Sequence, residues 1–303
     1  MNPGGIAQNP SETAYMKLGY YPGCSLEGSA VDYGISVEKM AEALGWQLEE
    51  VEDWNCCGAT AVHQTNHLLA LSLPARILAL AEEQGIKDLL APCAACSHRL
   101  IQANYELAED KDLAKEVNET IEMDYKGSVR VLNLIQALQE HAGDLENKIT
   151  RHFDGLKVAC YYGCLLLRQP KVLKFDDAEQ PHSMEDIMTK LGAQPVDWPF
   201  KTECCGAGFT MSAKEAVVDL THKVLENAAY HGAKAIVVAC PMCHANLDMR
   251  QLDVNRRYSR YNIPILYLSQ VIGLALGLSP KTLAINKHFI AASGIAGQLV
   301  RKD

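Results

Sequence analysis

Few basic residues, no export signal and no long apolar run set the first limits on this chain of 303 residues. Its 28 lysines and arginines are outnumbered by 37 acidic residues, which argues against nucleic-acid binding because phosphate contacts need a basic face. Residues 1–16 lack the basic start and apolar core of a signal peptide and predict a disordered polar tail. The apolar stretch 263–278 is too short to span a bilayer, so we expect a buried strand running into a helix.

Two further absences bear on cofactors and location. No Gly-rich dinucleotide fingerprint follows the first predicted strand, so no flavin or NAD site is expected in this chain. Without an export signal we expect a cytoplasmic protein. In that reducing compartment, metal binding or catalysis explains cysteines better than disulfides do.

Cysteine, by contrast, is abundant and regularly spaced. Ten of the eleven cysteines form a five-cysteine pattern that occurs twice. Each copy consists of a lone cysteine, a Cys-Cys-Gly triplet and a C-x-x-C pair. The intervening lengths are 31, 35 and 2 residues in the first copy and 39, 34 and 2 in the second. The two copies are Cys24, Cys56, Cys57, Cys93 and Cys96, then Cys164, Cys204, Cys205, Cys240 and Cys243. Chance does not repeat such a pattern, so the sequence predicts an internal duplication with two thiolate-rich sites.

Short apolar runs alternate with amphipathic segments in both halves, which favours parallel sheets flanked by helices. The predicted strands are 17–22, 47–51, 88–91, 157–161, 194–197 and 235–239, and the predicted helices are 31–44, 66–83, 96–107, 183–191, 213–231 and 243–251. We also expect a surface helix in 109–124, a helix over 129–141 and a linker over 144–155.

The resulting fold prediction is α/β, with two pseudo-symmetric halves. Each half is a small, mostly parallel sheet flanked by helices, with cysteine-rich loops at the strand ends, where ligands of such sheets gather. The predicted boundaries are 1–16 for the polar tail, 17–150 and 151–280 for the two cysteine-rich domains, and 281–303 for a C-terminal tail.

The spacing within each set points to a multi-thiolate site. Each C-x-x-C follows a strand and opens a helix, where free backbone N–H groups favour thiolate over thiol. Adjacent cysteines in a regular strand would face opposite ways, so Cys56-Cys57-Gly58 must be a turn, with the glycine allowing backbone to approach a bulky cofactor. Tetrahedral zinc needs only four thiolates, and an ordinary cubane cluster also takes four, so five suggest an unusual iron–sulfur centre. Structural zinc sites with a spare cysteine each, or a thioredoxin-like dithiol, remain the alternatives.

This double pattern resembles the cysteine-rich CCG domain, and two such domains without further modules resemble the B subunit of heterodisulfide reductase. The resemblance extends from about residue 17 to residue 278. It implies one non-cubane four-iron, four-sulfur cluster in each half. The ligands it implies are Cys24, Cys56, Cys57, Cys93 and Cys96 for one cluster and Cys164, Cys204, Cys205, Cys240 and Cys243 for the other.

The resemblance also implies an activity and partners. It predicts the catalytic iron–sulfur subunit of a CoB–CoM heterodisulfide reductase type complex, an oxidoreductase that acts on sulfur groups and reduces a disulfide bound between the two clusters. Electrons would come from a ferredoxin-like C subunit, itself fed by a flavin-containing A subunit. Related subunits of sulfur-oxidising complexes process protein-bound sulfur in the opposite direction, and a pure electron-transfer module or a zinc scaffold are further alternatives. CCG domains in fumarate or succinate enzymes usually carry ferredoxin-type segments in the same polypeptide, and this sequence has none.

Several residues outside the cysteine sets are secondary candidates. Cys160, without a counterpart near Cys24, is interpreted as a buried strand thiol. A histidine near the motifs could donate to a cluster sulfur or to substrate, or be an ordinary loop or helix residue. Arg99 could bind an anionic substrate. The histidines are His63, His98 and His244; the aromatic residues expected to line or shield the sites are Tyr20, Tyr21, Tyr161, Tyr162, Trp54 and Trp198.

Overall fold

The computed structural model describes residues 16–59, 62–143 and 145–301. The first half contains strands β1 (Met16–Tyr20), β2 (Trp46–Glu50), β3 (Asp88–Leu90) and β4 (Arg130–Leu132), and helices α1 (Val31–Leu44), α2 (Val62–Thr65), α3 (His67–Glu83), α4 (Ala94–Glu109), α5 (Lys111–Ile121) and α6 (Leu134–His141). Helix α7 (Leu145–Lys148) and strand β5 (Arg151–Phe153) follow. The second half contains strands β6 (Lys157–Tyr161), β7 (Gln194–Pro195), β8 (Ala235–Val238) and β9 (Ile265–Tyr267), helices α8 (Pro170–Leu173), α9 (Ser183–Lys190), α10 (Lys214–Tyr230), α11 (Pro241–Met249), α12 (Gln251–Arg257), α13 (Leu268–Ala275) and α14 (Ser293–Ala296), and finally strand β10 (Leu299–Arg301).

Each half is built on a four-stranded parallel sheet, with the order β2-β1-β3-β4 in the first and β7-β6-β8-β9 in the second. The shared order confirms the predicted α/β fold of two related halves. All four residues of β8 are buried, as expected for a parallel sheet with helices on both faces.

Local sequence explains where several elements begin and end. Gly45 adopts a left-handed conformation (φ 73°) that ends α1 just before β2. The Asn66 side chain accepts a hydrogen bond from Leu69 N and so caps the start of α3. Asn133 and Gln136 form a capping box at the start of α6.

The halves pack through helices that the duplication relates. Helix α1, which follows β1, lies against α13, which follows β9, and α6, which follows β4, lies against α9, the second helix after β6. Ser36 and Ser269 share a hydrogen bond of 2.6 Å between their buried hydroxyls. At the second contact, Gln139 donates to the Ser183 hydroxyl at 3.1 Å.

Two predicted segments differ from the structure. Residues 129–141 were expected as one helix, but 130–132 form the edge strand β4, because Val131 and Leu132 pair with β3 before Asn133 starts the helix. The predicted surface helix in 109–124 is confirmed by α5. The expected linker 144–155 contains α7 and β5.

The segment predicted as a C-terminal tail is folded over its described residues, 281–301. Leu283, Ile285, Ile290 and Ile295 are buried, and β10 pairs antiparallel with β5. Apolar burial and strand pairing therefore hold this segment to the rest of the chain. At the other end, Met16 belongs to β1, and the remainder of the predicted polar tail lies outside the described residues.

The buried Tyr33 hydroxyl joins the halves and gives a stability prediction. It donates to Pro92 O at 3.1 Å, and Ala239 O lies 3.5 Å from it. Because Tyr33→Phe leaves these carbonyls without that donor, we expect the free energy of unfolding to fall by about 1 kcal/mol. Urea unfolding of the metal-free chain measures this. Tyr105→Phe, at an exposed tyrosine, is the control, and equal midpoints for the two variants would contradict the expectation.

Candidate metal centres in two cysteine clusters

The first cysteine set gathers at the carboxyl ends of β1, β2 and β3. Cys24 follows β1, Cys56 and Cys57 follow β2, and Cys93 and Cys96 lie at the start of α4, after β3. The Sγ atoms of Cys24 and Cys56 are 4.0 Å apart, and those of Cys57 and Cys96 are 3.3 Å apart. Three loops that are distant in sequence thus bring their thiols into contact.

The second set repeats this arrangement. Cys164 follows β6, Cys204 and Cys205 follow β7, and Cys240 and Cys243 lie at the start of α11, after β8. The Sγ atoms of Cys205 and Cys243 are 3.5 Å apart, which matches the contact between the equivalent cysteines of the first set. The structure therefore brings together cysteines from all three loops of each set.

Each Cys-Cys-Gly triplet forms a turn. Gly58 and Gly206 have φ values of 73° and 81°. Their N–H groups donate to the first sulfur of the pair, over 3.4 Å to Cys56 and 3.3 Å to Cys204. In a regular strand the two side chains of the pair would face opposite ways, and the turn removes that restriction.

A tyrosine hydroxyl anchors the residue before each pair. Tyr21 donates to Asn55 O at 2.9 Å, and Tyr161 donates to Glu203 O at 2.6 Å. Both tyrosines are buried, and each also contacts a tryptophan. The ring centroids of Tyr21 and Trp54 are 5.5 Å apart, and those of Tyr161 and Trp198 are 6.2 Å apart. Tyr21 and Tyr161 thus occupy equivalent positions beside the two cysteine pairs, as the duplication predicts.

Each cysteine set has a buried side and an open side. The open side consists of the lone cysteine and the first cysteine of the pair: Cys24 and Cys56 are exposed, and Cys164 and Cys204 are half-buried. The other six are buried. A cofactor held by all five thiols would be shielded by protein on one side and reachable on the other.

A glycine before each lone cysteine leaves space next to a buried sulfur. Gly23 and Gly163 share a φ of 65°. A Cβ atom at Gly23 would lie 3.1 Å from Cys96 Sγ, and one at Gly163 would lie 2.9 Å from Cys243 Sγ. Both the backbone conformation and the close approach therefore require glycine.

Contacts among the thiols shift their pKa values strongly. Hydrogen bonds from Cys56 and Cys96 lower the pKa of Cys57 to about 3, and the pKa of Cys96 is correspondingly raised. In the second set, a hydrogen bond from Cys164 lowers the pKa of Cys204 to about 6. Thiolates thus form readily in both sets, as metal ligation requires.

The secondary candidates have different surroundings. Cys160 is fully buried in β6, and burial raises its pKa, which confirms the buried strand thiol. Arg99 is half-buried, and its charge helps to lower the pKa of Cys57. His98 is buried in α4. His63 falls in α2, but its side chain lies outside the described residues.

His244, beside Cys243, belongs to a buried aromatic stack. Its Nε2 lies 3.1 Å from Ile265 O, and its ring stacks on Tyr267, with centroids 4.1 Å apart. Burial lowers the pKa of His244 to about 3, so the imidazole is neutral at pH 7. Tyr267 stacks in turn on Tyr33, with centroids 4.2 Å apart.

Tyr33, which the sequence did not single out, brings the two cysteine sets close together. The carbonyls next to its hydroxyl belong to Pro92 and Ala239, the residues directly before Cys93 and Cys240. The repeat of the two halves does not reveal Tyr33, because the equivalent helix of the second half has no tyrosine at this place.

The lowered pKa of Cys204 predicts its reactivity in the metal-free chain. Cys204 is half-buried and, with a pKa of about 6, largely thiolate at pH 7. We expect iodoacetamide to alkylate it faster than Cys56, whose pKa is raised by its hydrogen bond to Cys57. The Cys204 rate should fall as the pH drops through about 6. Peptide mass spectrometry measures both rates, with buried Cys160 as the unreactive reference; equal rates at the two positions would contradict this.

Comparison with known proteins agrees with the double pattern. The family model described as a cysteine-rich domain, CCG, matches residues 18–101 and 158–248. The 8-methylmenaquinol:fumarate reductase membrane anchor subunit of Wolinella succinogenes is 34% identical over 281 residues, covering 91% of this chain and 98% of that protein. The B subunit of the ferredoxin/F420H2-dependent CoB–CoM heterodisulfide reductase of Methanosarcina acetivorans is 33% identical over 286 residues, covering 90% and 94%.

The fold is similar to that of a solved structure. A hypothetical protein from Helicobacter pylori superposes with a TM-score of 0.73 at 13% identity, covering 92% of this chain, and this chain spans about half of that one, 53%. Separately, no helix within the described ranges is long and apolar enough to cross a membrane.

The fumarate reductase relative changes one expectation. Because it aligns over 98% of its own length, the lack of a ferredoxin-type segment does not separate heterodisulfide reductase subunits from those of fumarate reductases. Relatives of both kinds are subunits of oxidoreductase complexes, and paired CCG domains imply iron–sulfur clusters. The chain belongs to the family of two-domain cysteine-rich CCG proteins that includes the B subunit of heterodisulfide reductase.

Proposed function

We propose that this protein is the catalytic iron–sulfur subunit of a heterodisulfide reductase type complex, with one non-cubane four-iron cluster in each cysteine set. The observation that carries the proposal is the pair of equivalent five-thiol sets at the ends of parallel strands. Zinc would leave one thiol unused in both halves. The proposed ligands are Cys24, Cys56, Cys57, Cys93 and Cys96 for one cluster, and Cys164, Cys204, Cys205, Cys240 and Cys243 for the other.

The surroundings of the thiols suit a group larger than a single ion. Gly23 and Gly163 keep side-chain atoms away from Cys96 and Cys243. Several thiolates held close together repel one another when no cation is present. A bound cluster would neutralise that charge, and six of the ten proposed ligands are already buried in the protein.

The proposed substrate is a disulfide that binds between the two sets. Reduction of R–S–S–R′ takes two electrons and two protons and gives two thiols. Iron–sulfur clusters, when bound, supply electrons one at a time, so two sites beside one substrate match the two-electron requirement. The two sets are neighbours in the fold, since the carbonyls of Pro92 and Ala239, the residues before Cys93 and Cys240, both lie within 3.5 Å of the Tyr33 hydroxyl. Arg99, half-buried near Cys57, offers a positive charge to an anionic substrate.

Partners and compartment follow from the same proposal. Electrons would reach this subunit from a ferredoxin-like C subunit, fed in turn by a flavin-containing A subunit. All eleven cysteines are free thiols, which suits the reducing cytoplasm in which we propose the complex works.

Two alternatives use the same sites. The Wolinella relative favours a subunit that passes electrons within a fumarate reductase type complex. The same sites could instead serve a sulfur-oxidising complex, since neither set of thiols fixes the direction of the reaction.

The deciding experiment is anaerobic purification, followed by iron, sulfide and zinc analysis, EPR and a disulfide reductase assay with a reduced viologen. We expect about eight irons per chain and thiol release from an added disulfide. Zinc without acid-labile sulfide would overturn the iron–sulfur proposal. Reduced clusters that no disulfide reoxidises, but that a fumarate reductase partner does, would favour the electron-transfer alternative.

Single cysteine substitutions test the ligand sets. Cys204→Ser removes one thiolate from the second set only, so we expect iron to fall from about eight to about four per chain and disulfide reduction to be lost. Cys160→Ala, which changes a buried thiol outside both sets, is the matched control and should retain all the iron. Full disulfide reductase activity after changing both Cys56 and Cys204 to Ser would refute the proposal.

The glycine next to Cys243 gives an independent test. Gly163→Ala places a Cβ 2.9 Å from Cys243 Sγ, and we expect it to lose the iron of the second set, about four per chain. Gly155→Ala has nearly the same φ, 63°, but no atom within 4 Å of the added Cβ, so it controls for backbone strain alone. Equal iron contents in the two variants would argue against a cluster seated at this position.

A further inference from the structure

A second kind of ligand cluster lies where three segments of the chain meet. Asp32 comes from the first turn of α1, His244 from α11, and His288 from the segment between α13 and α14. One nitrogen of each histidine and one carboxylate oxygen lie within 4.8 Å of one another. The His288 side chain is fully buried, and the Asp32 side chain is 14% exposed. None of the three belongs to a cysteine set, although His244 directly follows Cys243, and the proposed function leaves them unused.

The distances within this trio suit a shared cation. Asp32 Oδ2 and His288 Nε2 are 3.3 Å apart, and two ligands of one tetrahedral zinc ion are also about 3.3 Å apart. The rings of His244 and His288 meet edge to face, with centroids 4.4 Å apart. His244 Nε2 contacts a backbone carbonyl, Ile265 O, so it carries the hydrogen and leaves Nδ1 with its lone pair. Such a backbone contact is the usual way in which a metal-binding histidine is oriented.

Neighbouring residues hold the trio in place. Asp248, one turn after His244 on α11, accepts hydrogen bonds from Phe289 N at 2.7 Å and Ile290 N at 2.9 Å, and so fixes the residues after His288. Gln270 donates to Leu283 O at 3.2 Å, and the same amide nitrogen is a donor 3.0 Å from His288 Nε2, so an ion bound at Nε2 would replace this second contact while the first remains. The segment that carries His288 is thus fixed on both sides of the ring.

We propose that Asp32, His244 and His288 bind a zinc ion that ties the first half to the second half and to the C-terminal segment. Two histidines and one carboxylate are ligands for zinc, with a fourth position for water. The same ligands can hold iron(II), but that ion needs three further positions in an octahedron. The burial of His244 and His288 favours the smaller coordination number of zinc. Because His244 follows Cys243 directly, this ion would also steady the helix that carries Cys240 and Cys243.

The test is metal analysis of the anaerobically purified full-length protein, with X-ray absorption at the zinc edge. We expect about one zinc per chain with nitrogen and oxygen ligands at about 2.0–2.1 Å. Asp32→Asn and His288→Gln should each lose this zinc, while circular dichroism and iron content stay as in the unchanged protein. His67→Gln, at an exposed histidine, is the control and should retain it.

Three results would overturn the zinc proposal. They are a chain without zinc after growth in zinc-supplemented medium, zinc bound only to sulfur at about 2.3 Å, or zinc retained in both Asp32→Asn and His288→Gln. In the first case, a proton shared by Asp32 and His288 accounts for their contact. Because iron and zinc are measured in the same samples, failure of this site and failure of the iron–sulfur proposal are read separately.

Discussion

Parallel strand pairing is the constraint on which both cysteine sets depend. β1 pairs with β2 and β3, and β6 pairs with β7 and β8, all in parallel. The loops that leave three neighbouring strands therefore emerge at the same edge of the sheet. The lone cysteine, the cysteine pair and the C-x-x-C motif occupy one such loop each, so the sheet alone brings them together. A one-residue slip of β1 would move Cys24 away from the other loops and disable the whole set.

The duplication preserves the cysteines while their supports diverge. Before Cys24 the chain relies on Pro22, whose ring fixes φ. The equivalent position before Cys164 is Tyr162, whose hydroxyl donates to Glu185 at 2.6 Å and accepts from Met184 N. The Lys201 ammonium group forms an ion pair with the Glu185 carboxylate at 2.8 Å, and the backbone carbonyl of Lys201 accepts a hydrogen bond from Tyr162 N. A buried ion pair gains little net stability but fixes geometry when its hydrogen bonds are satisfied. The loop before Cys164 is thus held by a polar network, whereas the loop before Cys24 is held by the proline ring.

Sequence patterns predicted the parts of this fold that repeat, and missed the contacts between segments far apart in the chain. The Val31–Leu44 helix has the predicted bounds because it is long and regularly apolar on one face, and the five-cysteine sets were visible from spacing alone. The strand Arg130–Leu132 was hidden, since three residues carry too little periodicity to stand out before a helix. Tyr33 belongs to no motif, yet its hydroxyl lies against Ala239 in the other half. Such contacts depend on how the halves pack, and periodicity along the chain carries no information about that packing.

The spacing of the sulfurs also determines how the chain behaves without a cofactor. Cys57 and Cys96 lie 3.3 Å apart and Cys205 and Cys243 lie 3.5 Å apart, whereas a disulfide bond is about 2.05 Å long. A small movement would therefore allow oxidation, and the lowered pKa of Cys57 supplies the thiolate that thiol exchange needs. A cluster bound to these buried cysteines would occupy the lone pairs of their sulfurs and so protect them from oxidation. The geometry that suits a multi-thiolate cofactor is thus also the geometry that makes the metal-free chain sensitive to oxygen.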